Sequence, residues 1–319
     1  MTIVRCHRHR FAERRVYPAP CGDANVPDSA AITSGERLHA RANGAPATIM
    51  TRASEENGES VFLRAEWRCI VMLNYEVDAG LVQPLVPAGT SLDLWQGRAL
   101  VSVVGFRFLR TRVAGIPVPL HGSFDEVNLR CYVRRDLPDG EVRRGVVFVR
   151  ELVARPAIAL VARWWYNEPY RVVRMRSVAP AAHTDAPGRL IYEAWVAGGW
   201  HGVAATAAGA AAVPAPGTEA AFIANHYWGY TRQRDGGTVE YAVRHPAWRT
   251  WNAAEPRLGA GLRELYGVPF NRALATAPVS AFIADGSAVT VSRPRRLAGR
   301  DAGGPAAGAL ERPRRAAPT

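Results

Sequence analysis

Alternation of apolar and polar residues is clearest in the segment FDEVNLRCYVRR, from Phe124 to Arg135. Neighbouring side chains of a strand point to opposite faces, so this segment is predicted to be a strand with one apolar face and one polar face. The apolar face needs a core to cover it. For the polar face two interpretations stay open: the solvent-exposed side of an antiparallel sheet, or the lining of a polar cavity enclosed by strands. The polar positions include Glu126, Asn128, Arg130 and Tyr132.

The run from Gly145 to Val153 has apolar residues on both faces, which is typical of a central, buried strand. Arg150 and Glu151 stand side by side near its end and are expected to face opposite ways, so they do not pair with each other. Each needs another partner, because a buried charge without one is unfavourable. Pro156 suits the first turn of a helix, and the nearly all-apolar run from Ala157 to Tyr166 predicts that this helix is buried.

Much of the remaining chain has the short alternating runs that are typical of strands. From Val61 to Glu76, one face is expected to carry Trp67, Cys69 and Val71 together, with Arg68 on the other face. A bulge or bend is expected at Gly105. Further strands are predicted at Leu92–Leu94, Ala99–Leu109, Val172–Ser177, Leu190–Val196, Thr238–Arg244 and Ala288–Ser292, with short helices after Asp78, after Thr218 and around Leu262–Leu274.

Two histidines invite a functional interpretation. His226 belongs to a stripe at helical spacing after the helix cap Thr218, and such stripes are typical of core packing, so it is interpreted as structural. His121 lies in a loop rich in proline and glycine and is interpreted as a loop residue. The stretch from Gly198 to Gly217, rich in Ala, Gly and Pro, indicates no element.

The ends of the chain differ from its middle. Residues 1–58 lack periodicity and are predicted to be a disordered leader, and residues 298–319 a disordered tail, around one β-rich domain at 59–297. A translation start at Met50, which would remove the leader, is a hypothesis. The spacing of the Cys and His residues in the leader fits no usual zinc pattern, so no metal site is expected there. These residues are Cys6, His7, His9 and Cys21.

Composition and charge narrow the function classes. The chain of 319 residues has no apolar run of membrane-spanning length and no signal-peptide core, so a soluble, cytoplasmic protein without membrane association is expected. The net charge of +12 is spread out, without a basic helix or a nucleic-acid motif, which argues against nucleic acid and fits an anionic small molecule. Cys69 and Cys131, the cysteines outside the leader, imply no disulfide framework.

Lysine is absent from the sequence, and all 40 basic residues other than histidine are arginine. Because arginine is not deprotonated in proteins, no side chain here can form an imine with a carbonyl substrate. The sequence also lacks the nucleophile elbow, the glycine-rich dinucleotide motif, the P-loop and the metalloprotease motif. No cofactor and no metal are expected.

Four segments resemble the uncharacterised YqjF-like family, which is grouped with acetoacetate decarboxylase-like folds: FDEVNLRCYVRR, VFVRELVARPAIALVARWWYNEPY, HYWGYTRQ and VSAFIADGS. The resemblance extends from about Val61 to Leu297. It implies an α+β, mainly β fold in which strands form a closed cone or barrel around a small-molecule pocket, with a few short helices packed on it. The motifs are fairly specific to the YqjF-like group, whereas the likeness to the decarboxylases holds at the level of the fold.

The resemblance also implies roles for residues. Glu126 matches the pocket glutamate of the decarboxylases, and Arg150-Glu151 matches the strand end that precedes their imine-forming lysine. This chain has Arg155-Pro156-Ala157 where that lysine is expected. Imine-based decarboxylation is therefore rejected, since a shared fold does not transfer a function.

Three hypotheses remain for the function. The first is a lysine-independent lyase, hydratase or isomerase for a small carboxylate or carbonyl compound, with Glu126 as the general acid or base. The second is a non-catalytic ligand-binding protein that uses the same cavity, and the third is a structural or partner-binding protein. A homo-oligomer stays open. The candidate substrate-binding residues, among which an arginine would hold a carboxylate, are Arg68, Asn128, Arg130, Tyr132, Arg150 and Glu151.

Overall fold

Strands dominate the computed structural model, which describes residues 60–118, 122–180 and 187–297. The predicted leader and tail, with their Cys and His residues, lie outside the described residues, as does His121, so those predictions stay predictions. Within the described residues, no helix is both long and apolar enough to cross a membrane.

Within the described residues, fifteen strands are hydrogen-bonded into one sheet. They are β1 (Val61–Val77), β2 (Ser91–Leu92), β3 (Ala99–Val113), β4 (Ile116–Pro117), β5 (Phe124–Asp136), β6 (Val142–Val153), β7 (Tyr170–Val172), β8 (Met175–Val178), β9 (Arg189–Val196), β10 (Gly199–Ala212), β11 (Trp228–Arg232), β12 (Thr238–Arg244), β13 (Thr250–Leu258), β14 (Ser280–Ser292) and β15 (Arg295–Arg296). The helices of the described part are α1 (Ala79–Val82), α2 (Pro156–Trp165), α3 (Glu219–Ala224), α4 (Ala260–Leu265) and α5 (Val268–Ala273), with a 3₁₀ turn at Gln83–Leu85. The predicted α+β, mainly β fold with a few short helices is confirmed.

Seven strands close into a ring. Hydrogen bonds connect them in the order β12, β11, β6, β5, β3, β1 and β14, and β12 also pairs with β14, so the two ends of this series are joined. The closing pairs are Val243 with Val291 and Arg244 with Thr290. We call these seven strands the strand ring. Its closure gives it an inner face, which β7 also reaches through Tyr170.

A large apolar core covers the outer face of the strand ring. The sheet continues from β14 through β13, β10, β9 and β8, and these strands pack against the outer sides of β1, β3 and β5. Val71, Leu129, Tyr192 and Val203 meet in this core, and α4 and α5 contribute to the same cluster. The apolar face predicted for β5 is therefore covered, and the polar face points into the ring.

The face predicted for β1 was wrong in part. Cys69 has a left-handed backbone with φ 53°, and the pairing of β1 with β3 shifts between Arg68 and Val71. This bulge inserts one residue and changes which side chains face inward. Trp67 packs inside the strand ring with Met72, while Cys69 and Val71 face the outer core.

Gly105 marks a close approach between layers. It pairs with Val71, next to the β1 bulge. A Cβ atom at this position would lie 2.7 Å from Val203 Cγ1 and 2.8 Å from Tyr192 Cδ2. The bulge predicted at Gly105 is wrong, because β3 pairs regularly with β5 through this position and the bulge lies in β1 opposite it. Glycine is required here by the packing of β9 and β10 against β3.

Strands β10, β11 and β13 of the second half, and the two-residue β15, were missed by the sequence prediction. The stretch that indicated no element forms β10, whose small residues let β9 and β13 pack closely against it, and β13 was not predicted at all. The helix capped by Thr218 is real, since the Thr218 hydroxyl accepts from Ala221 N, but it ends at Ala224. His226 therefore follows the helix rather than belonging to it.

Helix α2 was predicted to be buried, and this is wrong for its outer face. Ile158, Val161 and Ala162 face the inside of the strand ring, but Leu160 is 67% exposed and Trp164 is 81% exposed. The helix is a cover with one packed side, because no described element packs on its outer side. Apolar residues all round a helix do not by themselves show burial.

Candidate functional site

The inside of the strand ring holds a cavity of about 140 Å³. All seven ring strands contribute to its lining, and α2 and α3 add apolar side chains. The polar face of β5 enters the cavity with Glu126, Asn128 and Arg130. Of the two interpretations left open by the alternation of β5, the structure therefore supports the cavity lining.

Glu151 reaches the same cavity because of a bulge in β6. Pairing between β5 and β6 shifts so that Leu129 faces Arg150 whereas Arg130 faces Phe148, which leaves Val149 as the extra residue. Since a bulge reverses the alternation, both Phe148 and Glu151 line the cavity although their numbers differ by three. Glu151 thereby lies opposite Asn128.

A third carboxyl group, Glu168, was missed by the sequence analysis. It precedes β7 in the segment after α2, where no periodicity signals which way a side chain points. Its carboxylate oxygen Oε1 accepts hydrogen bonds from the Tyr241 hydroxyl at 2.6 Å and from the Thr231 hydroxyl. Tyr170, two residues further on, donates its hydroxyl to Glu126 Oε2 at 3.0 Å.

Three buried glutamates therefore share one end of the cavity: Glu126, Glu151 and Glu168. Asn128 Nδ2 donates to Glu126 Oε1 at 2.9 Å. No arginine in the described residues forms an ion pair with any of the three. We call Glu126, Glu151 and Glu168 the carboxyl cluster.

Burial raises the pKa of every member of the carboxyl cluster. It raises the pKa of Glu126 to about 7, against the opposing effects of Asn128, Tyr170 and the charge of Arg130. It also raises the pKa of Glu168 to about 7, against the two hydroxyl donors. The pKa of Glu151 lies well above its ordinary value, through burial and then the charges of the other two carboxyls. The cluster thus holds protons near neutral pH.

Arg130 and two histidines occupy the lining beyond the carboxyl cluster. The guanidinium carbon of Arg130 lies 5.7 Å from the centroid of the Tyr132 ring. The Arg130 Nε atom is buried and has no hydrogen-bond partner among the described residues. His226 Nε2 lies 3.1 Å from Asp93 Oδ2, and burial lowers the His226 pKa. Burial also lowers the pKa of His245 to about 4. Arg130 is therefore the cavity's cation at neutral pH among the described residues.

Aromatic and aliphatic side chains make up most of the remaining wall. His245 stacks on Trp248 with ring centroids 4.1 Å apart, and Trp67 packs edge to face with Phe106. Such a lining suits a ligand with an apolar body and a few polar atoms. The apolar wall residues include Trp67, Phe106, Phe108, Phe124, Phe148, Ile158, Trp228 and Trp248.

Three of the candidate residues lie elsewhere. Arg68 pairs with Glu66 at 3.1 Å and donates to the Gly286 carbonyl, outside the cavity. Tyr132 is buried beside His226, and its hydroxyl shares a short hydrogen bond with Ser102. Arg150 points away from Glu151, as expected from the alternation, into a different hollow.

The structure thus brings together Glu126, Asn128, Arg130 and Glu151 from the sequence candidates. It adds Glu168, Tyr170, Tyr241, His226 and His245. The sequence did contain a signal for His226, because a histidine within an apolar stripe is either a hydrogen-bonded core residue or part of a functional site. Within the described residues, no group of three or more His, Cys, Asp or Glu side chains is arranged to hold a metal ion.

Comparison with solved structures shows what this fold resembles. Acetoacetate decarboxylase from Legionella pneumophila aligns over 81% of this chain and 98% of its own, with a TM-score of 0.52 and 15% identity. An acetoacetate decarboxylase-like enzyme from Sphingomonas wittichii aligns over 75% and 94%, with a TM-score of 0.53 and 14% identity. The enduracididine biosynthesis enzyme MppR, in a complex with pyruvate, aligns over 75% and 91%, with a TM-score of 0.52 and 15% identity. At these identities the likeness shows the fold.

Sequence comparison connects the chain to proteins of unknown activity. The uncharacterized protein YqjF of Bacillus subtilis is 28% identical over 116 residues, which are 36% of this chain and 46% of YqjF. The match thus spans under half of that relative. The model of the family DUF2071, described as an uncharacterized conserved protein, matches residues 64–288. The chain therefore belongs to the DUF2071 family.

Proposed function

We propose that the cavity binds a small carboxylate or carbonyl compound and that the carboxyl cluster transfers protons to and from it. The reaction class is that of a lyase, hydratase or isomerase that works without an imine, because the chain has no lysine. Glu126 is the general acid or base, and Arg130 holds the negative end of the ligand. The observation that carries this proposal is the presence of three buried glutamates that no arginine of the described part of the chain pairs with.

Proton transfer needs a group whose pKa lies close to the working pH, since such a group is present in both protonation states. The Glu126 and Glu168 carboxyls have pKa values of about 7. Ordinary surface glutamates are almost wholly ionised at that pH. Strongly perturbed titratable groups in a cavity are a known mark of functional sites.

The chemistry balances within the cavity. An ionised glutamate accepts a proton from a carbon next to the substrate carbonyl; the electron pair of that C–H bond forms a C=C bond, and the π pair of the C=O bond moves onto the oxygen. In an isomerisation, a protonated glutamate gives a proton to a different atom of the resulting enolate. In a dehydration, the C=O bond forms again, the C–O bond of a hydroxyl on the next carbon breaks with its electron pair, and a protonated glutamate protonates that hydroxyl, which leaves as water. One proton is taken and one is given in each case, so the cluster ends with as many protons as it began with.

Several cavity atoms offer a ligand unused hydrogen-bonding capacity. Trp67 Nε1, Asn128 Oδ1, Arg130 Nε, Glu151 Oε2 and Glu168 Oε2 are buried and lack a hydrogen-bond partner in the described part of the chain. Leaving such groups unpaired is unfavourable, by about 1–3 kcal/mol each. A bound molecule with a carbonyl or carboxylate group would satisfy both donors and acceptors.

The neighbours of this fold suggest the first ligands to test. The similar proteins are named as a decarboxylase and a biosynthesis enzyme, and MppR is described with pyruvate bound. A cavity of about 140 Å³ is small, which favours compact keto acids, hydroxy acids and short acyl anions.

A thermal-shift screen of the full chain against these compounds tests the proposal. Binding to the native state alone raises the unfolding midpoint. We expect a saturable rise in the wild type that is lost in Arg130→Gln and retained or weakened in Glu126→Gln, with turnover absent in Glu126→Gln. Arg112→Gln, at an exposed position outside the cavity, is the matched control.

The alternatives give different results in the same experiment. A ligand whose binding depends on Arg130 but that is never converted, even with Glu126 intact, identifies a non-catalytic ligand-binding protein. A flat screen together with strong destabilisation of both cavity variants contradicts ligand binding and assigns the carboxyl cluster a structural role.

A further inference from the structure

A second hollow opens beside the cavity, on the outer side of the strand ring. It has a volume of about 390 Å³ and lies between the end of α2, strand β7 and the turn that joins β11 to β12. Four arginines line it: Arg150, Arg163, Arg171 and Arg234. We call it the arginine hollow.

These four arginines come from separate parts of the chain. Arg150 belongs to β6, Arg163 to α2, Arg171 to β7 and Arg234 to the turn after β11. The hydrogen bond from Asn167 Nδ2 to the Arg232 carbonyl, at 2.9 Å, ties two of these segments together. The fold, rather than a local run of basic residues, therefore gathers the charges.

No carboxylate of the described residues forms an ion pair with any of the four. Elsewhere in the structure, arginines commonly form ion pairs with carboxylates, as Arg68 does with Glu66 and Arg135 with Glu240. Asp235, the acidic neighbour of Arg234 in sequence, pairs with Arg296 instead. Like charges gathered around one hollow repel each other, and an anion bound between them would remove that repulsion.

We propose that the arginine hollow is a binding site for a phosphate or carboxylate group. Guanidinium groups donate paired hydrogen bonds that match the oxygens of both groups. The lining is polar and open to solvent, unlike the aromatic wall of the cavity, so it suits a charged group rather than an apolar one. This site does not depend on the function proposed for the cavity.

The arginine hollow and the cavity share a wall. Glu168 and Tyr170 line both, and Glu168 Oε2 is buried without a described partner. An anion in the hollow would repel the negative charge of ionised Glu168, so it would favour the protonated form of that carboxyl. Two sources of the anion fit this position: a free inorganic anion, or the negative end of a ligand whose apolar end lies in the cavity.

Inorganic phosphate is the first probe, used on the full chain at constant ionic strength set with chloride, so that general screening of charge stays fixed. We expect phosphate to raise the unfolding midpoint saturably in the wild type. In the variant Arg163→Ser/Arg171→Ser/Arg234→Ser, the apparent Kd should be weaker by about tenfold or more. All three side chains are exposed, so this variant is expected to fold.

The matched control removes the same charge elsewhere. Arg64→Ser/Arg257→Ser/Arg272→Ser changes three exposed arginines outside the hollow and should bind phosphate like the wild type. Equal loss in both triple variants, or no saturable effect of phosphate in the wild type, would overturn the proposal. If the hollow variant fails to fold, the single changes Arg163→Ser and Arg234→Ser should each weaken binding severalfold, and unchanged binding in both would equally overturn it.

Phenyl phosphate separates the two sources. Binding tighter than that of inorganic phosphate, with the gain lost when Ala162→Phe fills the cavity, supports the negative end of a cavity ligand. Equal binding of the two compounds supports a free anion. Glu126→Gln should leave inorganic phosphate binding unchanged, so failure of the cavity's proposed function would not be mistaken for failure of this site.

Discussion

Two buried glutamates on the strand ring have carboxyl groups that are stabilised in opposite ways. Glu240 on β12 and Glu126 on β5 are each 1% exposed. Glu240 faces outward and pairs with Arg135 at 2.9 Å, with Arg143 at 3.0 Å and with Arg295. Glu126 faces inward among hydroxyl and amide donors and other carboxyls. One buried carboxylate is paired with arginines, whereas burial raises the pKa of the other carboxyl to about 7.

Burial alone does not determine how a glutamate side chain is stabilised, because its partners differ between the two faces of the same strand. Tyr241, the neighbour of Glu240 on β12, faces the cavity and donates to Glu168. One strand therefore carries a structural ion-pair group on its outside and supports the carboxyl cluster on its inside. The fold supplies paired arginines at Glu240, whereas in the described residues no arginine forms an ion pair with the carboxyl cluster.

The largest expected change is a loss of stability when the ion-paired glutamate, Glu240, is replaced. Glu240→Gln removes the carboxylate shared by Arg135 and Arg143, which are both largely buried, and should destabilise the protein by about 3–5 kcal/mol. Glu126→Gln, a matched change, should alter the free energy of unfolding by less than about 1 kcal/mol at pH 6, since it replaces a largely protonated carboxyl. Urea unfolding measures both. Similar losses in the two variants would contradict the contrast.

The pH dependence of stability should come next in size. Folded Glu168 has a raised pKa, about 7, so between its ordinary pKa of 4.5 and that value the folded protein binds the proton more strongly than the unfolded chain. The stabilisation from this proton is fully present below about 4.5 and is lost as the pH rises through about 7. For one such group the loss is about 3 kcal/mol.

Urea unfolding between pH 5 and 8 measures that loss, and the difference between the wild type and Glu168→Gln isolates it. The comparison is needed because His226 and His245, with lowered pKa values, change stability in the opposite direction below pH 6.5. A Glu168→Gln variant with an unchanged slope would show that this carboxyl is already ionised in the folded protein.

A smaller effect is expected for Arg130, which acts on ligands more than on the fold. Arg130→Gln should weaken the binding of a small carboxylate by about tenfold, because it removes a charge-assisted hydrogen bond. It should also raise the Glu126 pKa further, since the Arg130 charge lowers it. Isothermal titration with a ligand from the screen measures the first effect. Arg68→Gln is the control, and equal weakening in both variants would place the anion elsewhere.

The smallest predicted change concerns a single hydroxyl. Tyr170→Phe removes the donor to Glu126 Oε2 and should raise the Glu126 pKa by up to about one unit, with a stability change of about 1 kcal/mol. Tyr166→Phe, which removes a hydroxyl bonded to the Ser292 carbonyl, is the control and should leave that pKa unchanged. The pH profile of ligand binding reports the shift, and identical profiles would argue against the hydrogen bond.

Regular alternation allowed part of this site to be predicted from the sequence. On β5 the period of two is unbroken, so Glu126, Asn128 and Arg130 were assigned to one face correctly. On β6 the bulge at Val149 reverses the alternation, and no residue type at that position signals it. The same is true at Cys69 on β1, where a non-glycine residue takes a left-handed backbone.

Residues outside periodic elements could not be placed from the sequence. Glu168 lies in a connecting segment, and its burial depends on Thr231 and Tyr241, which are far away along the chain. In the sequence, Arg68, Arg130 and Arg150 look alike as candidates to hold an anion. Only their positions relative to the closed ring of strands distinguish them, and ring closure depends on contacts between residues that are far apart in the chain.

The most direct test of the central claim is a ¹³C NMR titration of the glutamate side-chain carboxyls in the full chain, with Glu126→Gln and Glu168→Gln used to assign their resonances. We predict that the Glu126 and Glu168 carboxyls titrate near pH 7 in the wild type, well above the ordinary glutamate range. Titration of both carboxyls near pH 4.5 would show that they are ionised at neutral pH, which would contradict a proton-holding cluster in this cavity.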